Sequence, residues 1–107
     1  MAWSIEYYDD TVERSILKLS TGLLARYLRL TDLLADFGPN LGMPHTRSLG
    51  EGLIELRVKA REGIARVFYC TVVEQRIVVL HAFVKKSQKI PKRELETAKR
   101  RLREVKA

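Results

Sequence analysis

The stretch Leu53-Ile54-Glu55-Leu56-Arg57-Val58-Lys59 limits the fold more than any other part of this chain. In an extended strand successive side chains point to opposite faces, so Ile54, Leu56 and Val58 share one face and Glu55, Arg57 and Lys59 the other. A helix would scatter both sets around its axis. The segment Ala60-Arg61-Glu62-Gly63 supplies a turn, and Ile64 to Val73 is rich in β-branched and aromatic residues. After a second turn near Glu74-Gln75, Arg76 to Val84 reads as a strand apolar on both faces at its centre, as a buried strand would be. Connections this short join antiparallel neighbours, which predicts a three-stranded meander with one face on a core.

The flanking segments are of other types. Trp3 to Tyr7 alternates apolar and polar residues and predicts a short first strand. Asp10-Thr11-Val12-Glu13 has the form of a capping box and starts a helix with the stripe Val12, Ile16 and Leu19. Ser20-Thr21-Gly22 interrupts it. A second helix carries Leu23, Tyr27, Leu30, Leu34 and Phe37 at a 3.6-residue period and stops at Gly38-Pro39, so the two helices predict an antiparallel hairpin. Gly38 to Gly52 turns to Gly, Pro, Asn and Ser and predicts a loop. Pro91 suits the first turn of a last helix, with Glu94 near its positive end and Leu95, Ala98, Leu102 and Val105 as its stripe. With no repeat and no linker, residues 1–107 read as one α+β domain of order β-α-α-β-β-β-α, a small antiparallel sheet packed against helices.

Several function classes are set aside. The single Cys70 excludes an internal disulfide, and no Cys and His spacing suits zinc or a thiol enzyme. Neither a P-loop nor a dinucleotide fingerprint occurs, so no metal and no cofactor are expected. The longest strongly apolar run, Ile77 to Leu80, is far short of the roughly 20 residues that span a bilayer, and Met1 to Glu6 lacks the shape of a signal peptide. The expectation is a cytoplasmic protein without a membrane partner.

Charge adds a direction. The chain has 20 Lys and Arg against 13 Asp and Glu, a net charge of +7, and residues 85–107 alone hold ten basic and three acidic residues. That balance is the footprint of a polyanion binder or the solvated face of a charged helix. On the polar side of the second strand, Glu55, Arg57 and Lys59 are spaced to share a face, where Arg66 and Lys85-Lys86 from the following strands are able to join them. A cationic cradle with one carboxylate suits phosphoryl chemistry, which depends on orientation and on stabilising charge at phosphate oxygens. Arg is the better clamp, since its planar fork holds two oxygens; the alternative is a solvated sheet face. His81 and His45 have the intrinsic pKa of an acid or base, but His81 lies within a strand and is better read as a sheet histidine with a hydrogen-bond partner. His45 sits in the Gly- and Pro-rich loop, with no feature of function beyond flexibility. Cys70 and Tyr69 read as packed within a strand.

Gly52 to Arg57, Ala65-Arg66-Val67-Phe68-Tyr69, and Val79 to Pro91 with Glu94 and Ala98 behind it together resemble the phage-derived, HigB-like branch of the RelE/ParE toxin superfamily. The phrase Phe83-Val84-Lys85-Lys86-Ser87-Gln88-Lys89-Ile90-Pro91 is its most specific part. The resemblance implies the toxin of a type II toxin-antitoxin pair, a ribosome-dependent endoribonuclease in which a ribose 2′-hydroxyl attacks the adjacent phosphate of mRNA. It places Arg57 and Arg66 at charge stabilisation, and Lys85 and Lys86 at phosphate stabilisation or proton transfer. Its partners would be a helix-turn-helix antitoxin, the ribosome with its mRNA, and operator DNA through the antitoxin complex. Lys59, Lys89, Lys92, Lys99, Arg100 and Arg103 become RNA-binding candidates. The C-terminal tyrosine of RelE has no counterpart, because Ile90-Pro91-Lys92 stands there, and Lys85-Lys86 replaces the histidine-containing set of some HigB toxins. Glu55, His81 and the two lysines therefore stand as candidates for the base. Two other functions fit the same fold: a ParE-like inhibitor of DNA gyrase that is not a nuclease, and an inactive relative that only binds its antitoxin.

Overall fold

A computed structural model describes residues 2–85 and 89–106, and of Lys85 the backbone position alone. In chain order the elements are β1 (Ser4–Tyr7), α1 (Asp10–Leu17), α2 (Thr21–Phe37), β2 (Thr46–Gly50), β3 (Leu53–Ala60), β4 (Gly63–Val72), β5 (Arg76–Lys85) and α3 (Lys92–Lys106). They form a small α+β fold around one five-stranded sheet of order β1-β5-β4-β3-β2.

The expected order β-α-α-β-β-β-α is one strand short, and the sheet is mixed rather than wholly antiparallel. The added strand, β2, lies in the stretch read as a loop and pairs antiparallel with β3 from Thr46↔Leu56 to Gly50↔Leu53. Its composition, Thr-Arg-Ser-Leu-Gly, carries no strand signal. Pairing arises because β3 would otherwise leave a row of backbone donors and acceptors unmet at the sheet edge. The connection to β3 needs left-handed backbone at Gly50, Glu51 and Gly52, with φ of 92°, 57° and 86°, which favours glycine at two of its positions. At the other edge β1 runs parallel to β5, from Ser4↔Arg76 to Tyr7↔Val79. The bidentate ion pair of Glu6 with Arg76 reinforces this pairing at 2.8 and 3.0 Å.

Helices cover both faces of the sheet. Val12 and Ile16 of α1 with Leu23, Tyr27, Leu30 and Leu34 of α2 pack on Ile54, Leu56, Val58, Ala65, Val67, Ile77 and Val79. On the opposite face Ala98 and Leu102 of α3 pack on Leu53, Phe68, Cys70, Val78 and Leu80. The odd and even residues of β3 thus divide as their alternation predicts. Burying an aliphatic side chain of this size contributes roughly 1.5–3 kcal/mol, and the α1–α2 layer supplies the larger share.

The helix ends differ from expectation in detail. Asp9 caps α1, its Oδ1 accepting from the Val12 N–H at 2.9 Å, so the Asp10–Glu13 box does not form. The α2 stripe ends at Leu34, and Phe37 is 75% exposed. The inward position there belongs to Gly38, buried beside the Trp3 indole with φ 93°. At the other end of α2, Ser20 makes no side-chain cap. Glu62, from the β3–β4 turn, replaces it, its Oε2 accepting from the Gly22 N–H at 2.7 Å and the Ser20 hydroxyl at 3.0 Å. α3 is tied down by polar contacts: the Tyr8 hydroxyl donates to Glu104, and Arg101 donates to the Leu80 carbonyl at 2.8 Å while its guanidinium lies 4.8 Å above the Tyr8 ring.

β4 and β5 shift register between Phe68 and Tyr69, which pair with His81 and Val79 and leave Leu80 as an extra residue. A bulge of this kind reverses which residues face which side. Before it, Val78 and Leu80 belong to the α3 face; after it, Phe83 does, while Ala82 packs with the α1–α2 core. No helix among the described residues is long and apolar enough to cross a membrane.

Candidate functional site

The ladder places the polar residues of the α3 face in rows. Arg47, Glu55, Phe68 and His81 stand opposite one another across β2, β3, β4 and β5. The next row holds Arg57, Arg66 and Phe83, and the one after it Lys59, Ile64 and Lys85. Neighbouring strands lie about 4.8 Å apart and successive rows about 7 Å. The structure therefore keeps Glu55 and Arg57 on one face as the alternation of β3 implied, sets Arg66 of β4 opposite Arg57, and adds Arg47.

Glu55 departs from the open, solvated cradle read from the sequence. It has 0% exposure, is paired with the nearly buried Arg66, and has Arg47 Nη2 3.3 Å from its Oε1. A carboxylate so enclosed has no oxygen open to a substrate, so it is a counter-ion that orients Arg66. Arg47, Arg57 and Arg66 with Met43 line a recess of about 170 Å³. The recess gathers three guanidinium groups around one carboxylate, and among the described residues the Arg57 Nε is buried without a hydrogen-bond partner. The arrangement is suited to an anion with several oxygens.

Beside the recess Phe68, His81 and Phe83 form an aromatic group, with ring centroids 5.7–6.4 Å apart. His81 has the partner expected of a sheet histidine: its Nε2 lies 2.8 Å from Oε1 of Glu94 in the first turn of α3. Cys70 is buried, and burial pushes its thiol up, away from nucleophilic use. Tyr69 is buried too, its hydroxyl donating to the Pro39 carbonyl and its pKa raised by burial.

The remaining predicted residues fall elsewhere. Lys59 lies on the same face, one row beyond Arg57, and Lys85 shares its row. Lys86 lies outside the described residues. On α3, Lys92 and Arg100 pair with Glu96 and Glu104 at 3.9 and 3.8 Å. Lys89, Lys92, Lys99, Arg100 and Arg103 are not among the residues that line the recess. Sequence reasoning missed Arg47, because its strand was read as a loop. It also set His45 aside and did not single out Arg26; both line a second recess of about 190 Å³ with Pro44, Arg57, Lys59 and Ile64. The sign His45 carried was its intrinsic pKa, with nothing local to place it at a site. Among the described residues no group of three metal-ligating side chains gathers.

A sequence model of the family described as phage derived protein Gp49-like (DUF891) matches residues 14–103. No curated protein matches the chain.

Proposed function

The chain belongs to the phage-derived Gp49-like family, and on that premise we propose that it is the toxin of a type II toxin-antitoxin pair, a ribosome-dependent endoribonuclease that cuts mRNA. The observation that carries this reading is the arginine recess, with Arg57 and Arg66 aligned across β3 and β4 and an aromatic group beside them. The association of this family with RelE-like toxins supports it further.

In this mechanism Arg57 and Arg66 hold the scissile phosphate and stabilise the charge that builds on its oxygens. Glu55 keeps Arg66 in place. The 2′-hydroxyl attacks phosphorus in line, the bond to the 5′-oxygen breaks, and a cyclic phosphate and a 5′-hydroxyl result. We assign the proton of the 2′-hydroxyl to His81, which Glu94 orients at 2.8 Å, and the departing 5′-oxygen takes its proton from water. Lys85 and Lys86 add phosphate contacts, and Phe83 offers a face to a base. The partners in this reading are mRNA on the ribosome and a helix-turn-helix antitoxin that covers the basic recess, with operator DNA reached through that complex, all within the cytoplasm.

Induced expression followed by mapping of RNA 5′ ends tests the reading. Cleavage within translated codons is expected, and it should be lost in Arg57→Ala. Intact mRNA together with DNA damage would overturn it in favour of a gyrase inhibitor. Intact mRNA and DNA, with antitoxin binding retained, would mark an inactive relative.

A further inference from the structure

The second recess shares Arg57 with the first and is built differently. Arg26 reaches it from α2, Pro44 and His45 from the approach to β2, and Lys59 and Ile64 from β3 and β4. His45 is held against β3, since its carbonyl accepts from the Arg57 N–H at 2.8 Å. The β2 ladder stops at Thr46↔Leu56, so among the described residues β3 has no strand on that side from Arg57 onward. Backbone groups two residues apart turn the same way along a strand, so Lys59 presents its N–H and C=O to the open edge. An inorganic anion needs charge alone. This recess adds the apolar surfaces of Pro44 and Ile64 and the flat imidazole of His45 to the cations Arg26 and Lys59. Flat faces with edge donors and acceptors are what an unstacked nucleobase requires. Its volume of about 190 Å³ is below the roughly 300 Å³ at which pockets for drug-sized ligands begin, a size for one base rather than a whole cofactor.

We propose that this recess is a nucleobase subsite, which receives the nucleotide next to the phosphate held by Arg57 and Arg66. His45 stacks on the base, Arg26 meets its outer phosphate, and Arg57 bridges the two recesses. The proposal rests on the reading of the arginine recess as an RNA phosphate site, and the test separates the two. The full chain is titrated, with chemical shifts as the readout, against inorganic phosphate and against a 5′-phosphorylated 2′-deoxydinucleotide, which lacks the attacking hydroxyl and stays intact. The wild type should bind the dinucleotide more tightly than phosphate. His45→Ala should weaken the dinucleotide about tenfold, the scale of one base stacking contact, and leave phosphate unchanged. His45→Phe should restore the dinucleotide affinity. Arg26→Gln, on the surface of α2, should weaken the dinucleotide alone, and Arg57→Ala should weaken both probes. Wild-type dinucleotide affinity in both His45→Ala and Arg26→Gln overturns the subsite and leaves the arginine recess standing. A wild type that binds neither probe overturns both.

Discussion

Arg57 and Arg66 face each other across β3 and β4, yet they respond differently to removal. Arg66 compensates Glu55, whose side chain is wholly buried. Arg66→Ala therefore leaves a carboxylate without its main partner inside the protein, at a cost of about 3–5 kcal/mol, to be read as a lower urea midpoint. The double variant Glu55→Leu/Arg66→Met should recover most of that stability, because apolar replacement removes both desolvated charges together. Arg57 is half-buried beside a like charge and has no such dependent. Arg57→Ala should keep the unfolding free energy within about 0.5 kcal/mol of the wild type and still abolish cleavage, which makes it the cleaner probe of charge stabilisation. That Glu55 and Arg57 share a face was legible in the alternation of β3, whereas the position of Arg66 opposite Arg57 came from the register of β4. The enclosure of Glu55 was not legible, because it depends on Arg47, and Arg47 belongs to a strand that composition disguises.

At the scale of elements, α2 depends on a residue 40 positions from the N–H it caps. Hydrogen bonds from its own backbone N–H, the Ser20 hydroxyl and the Gly22 N–H hold the Glu62 carboxyl below the usual carboxylate range. A depressed folded-state pKa means that the stability it contributes is complete above the unfolded value of about 4.3 and is lost as pH falls through the folded value. Glu62→Gln should therefore flatten the decline of the melting temperature below about pH 4.3, and acid titrations of both proteins check it. The β4–β5 turn holds Glu74 and Gln75 at φ of 66° and 57°. A side chain there costs roughly 1–2 kcal/mol, partly offset by the roughly 0.5–1 kcal/mol that glycine loses in chain entropy. Gln75→Gly should raise the melting temperature slightly, which calorimetry will register. The turn itself was placed from the sequence. Its backbone conformation was not, since neither residue is one that usually adopts it.

For the whole molecule, charge sorts by location. The two recesses draw on Arg26, Arg47, Arg57, Lys59 and Arg66, while the basic residues of α3 form a separate helical surface partly matched by its own Glu96 and Glu104. If phosphates neutralise the recess, affinity for single-stranded RNA should fall with salt at a slope of about −0.7 per contacted phosphate. Arg57→Ala should reduce that slope by about 0.7. Lys99→Glu/Arg103→Glu should weaken a long RNA and spare a dinucleotide, with filter binding across a salt series as the check. The net charge of +7 suggested a polyanion without saying where it would lie. From the sequence alone came the α+β class, the existence of two successive helices after β1, the meander and the face of β3 that carries Arg57, because each follows from a local period of side chains. Tertiary structure decided the rest. The pairing of β1 with β5 and the recruitment of β2 depend on backbone groups that only the assembled sheet leaves unmet. The bulge at Leu80 turns Phe83 toward Arg66, and a run apolar on both faces holds no local record of that reversal. The second recess exists because β2 stops at Thr46 while β3 runs on to Ala60, a difference in strand length across the sheet that no period within either strand encodes.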